Sequence, residues 1–189
     1  QQTCRQYLDS KVYCQGYKDK GFNIKIRIKE EGVFPALAIG LMDFAGTGIY
    51  SSEYIVGTKS IGKLELTTGL GFGRLAGRNP FSNPLRNFSS AFDQREQIAF
   101  GRGGTLGNIN WFRGDAAIFY GLNYYFGEKV TVLAEYSSDI MAIETSYLNA
   151  KSPWNLGVSY QFNDNVSLST QYLYGSQFSV TAHISMNPG

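Results

Sequence analysis

Apolar and polar residues alternate with period two through nine stretches of this chain. Phe22, Ile24, Ile26 and Ile28 interleave with Asn23, Lys25, Arg27 and Lys29. Val166, Leu168, Thr170, Tyr172 and Tyr174 interleave with Ser167, Ser169, Gln171 and Leu173. Period two sends alternate side chains to opposite faces of a strand. The spacing predicts a first strand over 22–30, a second through Leu37, Ile39 and Leu41, a third bearing Tyr54 and Val56, and a fourth through Leu64, Leu66, Leu70 and Phe72. Ile118, Tyr120, Leu122, Tyr124 and Phe126 mark the fifth; Val130, Val132, Ala134 and Tyr136 mark the sixth. Trp154, Leu156, Val158, Tyr160 and Phe162 give the seventh, 166–174 the eighth, and Phe178, Val180, Ala182, Ile184 and Met186 the ninth.

The connections alternate between compact turns, such as 61–63, 127–129 and 163–165, and long loops at 43–52, 74–114 and 139–153. The exception is Gly175-Ser176-Gln177, which is brief but falls on the long-loop edge. One apolar face with short turns at one edge and long loops at the other is the pattern of an outer-membrane barrel, whose short turns face the periplasm. The expected fold is therefore all-β, an antiparallel up-and-down transmembrane β-barrel. A soluble lipocalin-like barrel or sandwich, with its apolar face inward, shares the same period. Two features favour the membrane version. Gly40, Gly57, Gly69, Gly71, Gly73, Gly121 and Gly157 fall on the polar face, where small residues let strands coil and long side chains pack down. Aromatics stand at both ends of the apolar face: Tyr124, Phe126, Tyr160 and Phe162 near the tight turns, and Phe72, Tyr136, Trp154, Tyr172 and Tyr174 near the long loops.

The polar faces then line a lumen. A three-residue turn centred on Gly62 sets Lys59 opposite Glu65 and Gly57 opposite Thr67. One centred on Glu128 sets Gly121 opposite Glu135 and Tyr125 opposite Thr131. Lys25, Arg27, Lys29, Lys59, Glu65 and Glu135 are the expected lumen charges, bracing the interior as readily as leaving it open.

Composition agrees. Among 189 residues, 13 Tyr, 13 Phe and 22 Gly favour strands and turns over helices. A net charge of +2 without a basic tail or arginine stripe gives no reason to expect a nucleic-acid partner. The longest apolar stretch, 33–44, is interrupted by Pro35, Gly40 and Asp43 and falls short of the roughly 20 residues a spanning helix needs. Cys4 and Cys14 are the only cysteines. They suit one local disulfide in an oxidising compartment; the alternative is two free thiols in a polar tail.

Catalytic and cofactor chemistry is not expected. The single His183 lies on the polar face of the ninth strand, and one His with two remote Cys cannot assemble a metal-ligand set. Gly101-Arg102-Gly103-Gly104 lacks the Lys-Ser/Thr and the strand–helix context of a phosphate loop. Binding is more promising in the 74–114 loop. Arg78, Arg86, Arg95, Arg102 and Arg113 mix there with Phe81, Phe88, Phe92, Phe100, Trp111 and Phe112. Arginine with aromatics can stack on sugars and grip anionic groups. Arg78, Arg86, Arg102, Trp111 and Arg113 are the candidate glycan contacts; the alternative is a loop folded into the lumen with its rings filling space.

Specific strings carry a family resemblance. Tyr17-Lys18-Asp19-Lys20-Gly21-Phe22, Pro35-Ala36-Leu37-Ala38-Ile39-Gly40, Asp43-Phe44-Ala45-Gly46-Thr47-Gly48 and Gly69-Leu70-Gly71-Phe72-Gly73 are followed in order by Asn79-Pro80-Phe81, Trp111-Phe112, Glu135-Tyr136 and Asn155-Leu156-Gly157. Over residues 17–188 the chain resembles the YjbH/GfcD-like barrels of exopolysaccharide and capsule secretion loci. The resemblance implies a Gram-negative outer-membrane protein whose partners are lipid, periplasmic or lipoprotein secretion components, and the polysaccharide itself. It also implies further strands upstream and a large region downstream. Nine strands starting outside the cell make an odd wall, so the expectation is 18–189 as part of a larger barrel of about twelve strands, with 1–17 an extracellular loop or tail. Export conduit or scaffold is the leading function. A general porin and a surface adhesin presenting the 74–114 loop are the alternatives.

Overall fold

The computed structural model describes residues 2–6, 12–16, 21–45, 48–96, 110–142, 144 and 149–186. A short hairpin comes first, β1 (Gln2–Gln6) with β2 (Val12–Gly16), and its register sets Cys4 directly opposite Cys14. All nine predicted strands follow: β3 (Ile24–Lys29), β4 (Ala36–Met42), β5 (Ser52–Ile61), β6 (Leu64–Gly73), β7 (Ala116–Phe126), β8 (Val130–Tyr136), β9 (Trp154–Asn163), β10 (Val166–Leu173) and β11 (Gln177–Ile184). They form one antiparallel meander in which every strand pairs with its neighbours in sequence. The nine strands do not close on themselves: β3 and β11 are the two edges among the described residues. No described helix is long and apolar enough to cross a membrane.

Two rows across the sheet show how its faces differ. Leu66, Leu122, Ala134, Leu156 and Tyr172 stand side by side on one face, while Thr58, Thr67, Gly121, Glu135 and Asn155 stand side by side on the other. The apolar row is the open one. Leu122 is 39% exposed and Leu156 53%, whereas Asn155 on the polar face is 5% exposed. Among the described residues the only buried apolar side chains are Ala38, Phe72, Ala116 and Ala117. The buried polar ones include Glu53, Asn83, Asn110, Ser138, Asp139 and Asn155. Burial is inverted relative to a water-soluble domain, in which the hydrophobic effect puts the apolar face inside.

The predicted facing holds for most strands, and Gly121 opposite Glu135 and Tyr125 opposite Thr131 are as expected. One turn departs from it. Gly62 and Lys63 alone connect β5 to β6, with Gly62 at φ +61° in the first central position of a two-residue hairpin turn. Ser60 therefore faces Glu65, and Lys59 faces Leu66. This one-residue slip moves Lys59 and Gly57 to the apolar face. A bulge between Arg27 and Lys29 likewise carries Lys29 over to the row of Leu37.

Candidate functional site

The polar face is the larger of two constellations. Glycines on it serve as floor for rings from neighbouring strands. A Cβ at Gly40 would lie 2.1 Å from the Tyr54 ring, and one at Gly69 would lie 2.1 Å from the Phe119 ring. The two rings meet edge to face, 6.2 Å apart between centroids. Towards the tight turns the face becomes hydroxyl- and amide-rich. Thr58 and Thr67 hydroxyls bond at 3.0 Å, Ser169 donates to Ser159 at 2.9 Å and Asn123 donates to Glu65 at 2.8 Å; at the long-loop end Asn155 donates to Glu135 at 3.1 Å.

The second constellation caps the long-loop end. The 74–96 segment contains three short 3-10 turns, Arg74–Ala76, Pro84–Asn87 and Ser90–Phe92. Buried Asn83 ties it together. Its side chain accepts from the Leu85 N–H and donates to the carbonyls of Phe92 and Phe112. Residue Phe81 pairs with Ala116 as a single bridge beside β7. At the centre, Glu53 is 1% exposed and is gripped by a two-pronged guanidinium: Arg95 Nη1 at 2.7 Å and Nη2 at 3.0 Å. The Phe112 N–H adds a third bond at 2.9 Å, and Arg95 also donates to the Asn110 carbonyl and the Ser51 hydroxyl.

Gly73 (φ +62°) and Gly114 (φ +76°) leave the room that Arg95 occupies. A Cβ at Gly73 would stand 2.6 Å from the Ser51 carbonyl oxygen and 2.7 Å from Arg95 Cζ, in a backbone conformation that disfavours any side chain. Gly73→Ala is expected to cost about 1–3 kcal/mol, read as a lowered unfolding midpoint. An unchanged midpoint would mean that the cradle is not required.

A neighbouring ion cluster fixes the next long loop. Arg74 bonds Asp139, reaches Glu144 at 2.7 Å and lies 5.0 Å from the centroid of the Tyr50 ring. Burial works to lower the Arg74 pKa, but the hydrogen bonds and charges of Asp139 and Glu144 outweigh it and raise it. Tyr174, in the brief β10–β11 link, accepts from the N–H groups of Lys151 and Ser152. Burial is the leading cause that raises its phenol pKa.

The residues singled out in the sequence fall in several places. Lys25 and Arg27 share the polar face with Glu65 and Glu135, and Arg27 pairs with Glu30 at 3.4 Å. The expected Lys59–Glu65 brace is not formed. Lys59 sits at the tight-turn edge of the apolar face, 3.3 Å from Glu31 and bonded to the Gly32 carbonyl. Lys29 caps the Phe34 ring at 4.5 Å. The candidate glycan contacts are dispersed among separate partners. The Arg78 backbone donates to the Ser138 carbonyl; Arg86 is exposed, 3.6 Å from Asp93; the Trp111 indole donates to the Phe44 carbonyl; and the Arg113 N–H bonds the Asn110 carbonyl. Arg102 lies outside the described residues. The arginine with the most consequential structural role, Arg95, is 42 positions from Glu53 in an aperiodic loop, and no local spacing rule links the two.

At the tight-turn edge, Glu31 gives a pH prediction. The Ser60 N–H bond, followed by contributions from Lys59 and the Ser60 hydroxyl, holds its carboxyl below the ordinary glutamate value despite the opposing effect of desolvation. A depressed folded pKa means the turn's stabilisation is complete above about pH 4.3 and is lost as pH falls through the folded value. Glu31→Gln is expected to flatten the acid limb of an amide-exchange profile at Ser60. An identical profile in the variant would remove Glu31 from the account.

Similarity to known proteins gives the family. The family model YjbH, described as "Exopolysaccharide biosynthesis protein YbjH", matches residues 4–189. The chain belongs to the YjbH family. It is 31% identical over 179 residues to the "Uncharacterized lipoprotein YjbH" of Escherichia coli (strain K12), covering 92% of this chain and 26% of that protein. The chain thus spans about a quarter of the length of this YjbH relative. No solved structure matches it. The resemblance read from the sequence strings is therefore shown at the level of family.

Proposed function

We propose that this chain is a wall segment of an outer-membrane β-barrel of about twelve strands. In this reading the barrel serves exopolysaccharide or capsule export as conduit or scaffold, without chemistry of its own and alongside periplasmic or lipoprotein components of the same system. The observation carrying the reading is the inverted sheet: its apolar face is open across the strands while its polar face holds buried Asn155. An open apolar surface of this extent needs a lipid or protein cover. Aromatic ends support the lipid choice. Tyr120, Tyr136 and Trp154 cluster near the loop end, with Tyr120 and Tyr136 stacked at 4.9 Å, and Tyr124–Phe126 and Tyr160–Phe162 stand near the tight turns. From Trp154 to Phe162 the strand runs about 26 Å, close to the roughly 25 Å apolar band of such barrels before tilt is allowed for. The family description supports the polysaccharide part.

The test is a clean deletion of the gene in a Gram-negative host. Loss of surface polysaccharide, with the protein in the outer-membrane fraction and little conductance in planar bilayers, is expected. Normal polysaccharide export would sink the export reading, and steady conductance that survives removal of 74–114 would favour a porin. The adhesin reading draws on exposed Phe88 and half-buried Arg113 in the 74–114 loop. It predicts loss of surface attachment on loop deletion with export intact. The Cys4–Cys14 register fits a cross-strand disulfide, so non-reducing mass spectrometry is expected to find the two peptides joined; free thiols would defeat it.

A further inference from the structure

The carboxylates of the polar face stand without cations. Glu65 is bonded by the Asn123 amide and Glu135 by the Asn155 amide, and neither is ion-paired among the described residues. For Glu65 the slip at Gly62 is the cause, because it takes Lys59 off this face. Cations on the face gather instead at the β3 margin, where Lys25 and Arg27 border a cavity of ≈ 410 Å³ with Ala36, Ala38, Val56 and Thr58. Three strand spacings separate β3 from β6, about 14 Å, which exceeds the screening length of about 8 Å at physiological ionic strength. Over β5–β9, Lys25 and Arg27 therefore offset Glu65 and Glu135 only weakly. The same area offers Tyr54 and Phe119 as half-exposed rings, with hydroxyls and amides from Thr58, Thr67, Asn123 and Ser159.

Aromatic faces beside neutral donors and acceptors suit the C–H faces and hydroxyls of sugar rings, while unpaired carboxylates repel an acidic polymer. We propose that the polar face over β5–β9 binds a glycan bearing no carboxylate or phosphate substituents, with Phe119 and Tyr54 as its stacking platform and Glu65 and Glu135 excluding acidic chains. This deepens the export reading and rests on it.

The test titrates the full-length protein in nanodiscs with maltoheptaose and with an oligogalacturonate of equal length, by calorimetry. Maltoheptaose is expected to bind more tightly. Phe119→Leu, which keeps Gly69 covered, is expected to weaken it about five-fold, the effect of losing one ring contact of about 1 kcal/mol. The pair Glu65→Gln with Glu135→Gln is expected to raise oligogalacturonate binding at least several-fold relative to maltoheptaose. Far-UV circular dichroism checks that each variant is folded. Equal or tighter oligogalacturonate binding by the native protein overturns the proposal, as does an indifferent response to Phe119→Leu. If neither sugar binds yet deletion still abolishes surface polysaccharide, this inference fails and the export reading stands. If deletion leaves export normal, the export reading itself has failed.

Discussion

Arg95→Ala is expected to release the 74–114 loop from the end of the sheet and to cost about 3–5 kcal/mol, because it leaves Glu53 charged and uncompensated in a buried position. The native carboxylate has three donors: two guanidinium nitrogens and the Phe112 N–H. Losing Arg95 also empties the space framed by Gly73 and Gly114. Limited proteolysis read by mass spectrometry should show new cleavage between 74 and 114, with a lower unfolding midpoint. Arg95→Lys keeps the charge without the planar fork and should fall between the native protein and Arg95→Ala. Glu53→Gln combined with Arg95→Met removes both charges at similar volume and should recover much of the loss, since the penalty comes from stranding one charge. A native-like protease pattern in Arg95→Ala would show that the loop is held by its apolar contacts, such as Phe72 against Phe112 at 5.4 Å, and not by the ion pair.

The contrast between the sheet and this cap explains what could be read along the chain. Nine strands were legible because each has its own period-two record, and that record is local. Register was legible only where turn length was. Three residues at 127–129 give the observed Gly121–Glu135 pairing, but Gly62-Lys63 makes a two-residue turn that the same glycine-plus-lysine signal does not separate from a three-residue one. A single residue of error there turns a lumen brace into an apolar-face lysine paired with Glu31. The bulge that re-aims Lys29 leaves no mark in the alternation of Ile24, Ile26 and Ile28. The β1–β2 hairpin escaped because the nine polar-rich residues between the two cysteines show little alternation. Glu53–Arg95 escaped for a different reason. Its strand and its loop come together only when the end of the sheet is capped, a tertiary event that neither local periodicity nor composition encodes.

The open face provides the second large effect, and the same substitution reads differently in lipid and in water. Val158 lies mid-strand on β9, between Val132 and Thr170, and is 46% exposed. On a water-soluble sheet, arginine at so exposed a site would change stability by no more than about 0.5 kcal/mol. Facing the hydrocarbon midplane, it would cost about 2–4 kcal/mol. Val158→Arg is therefore expected to reduce the folded, heat-modifiable fraction recovered from outer membranes several-fold. Ser169→Arg, one strand over on the polar face, serves as the matched control: the native side chain bonds Ser159 on that face, and the variant should assemble normally. A second arginine at Leu122 should add to the first, since the sites lie on separate strands of the same face. If Val158→Arg and Ser169→Arg assemble equally well, the apolar face is not in contact with lipid, and its exposure requires a protein cover. The reversed ranking, with the polar-face arginine the more damaging, would place the apolar face inside a soluble barrel. The outcome turns on which solvent meets the apolar face, where Leu66, Leu122, Leu156 and Tyr172 all stand exposed beside the Val158 row.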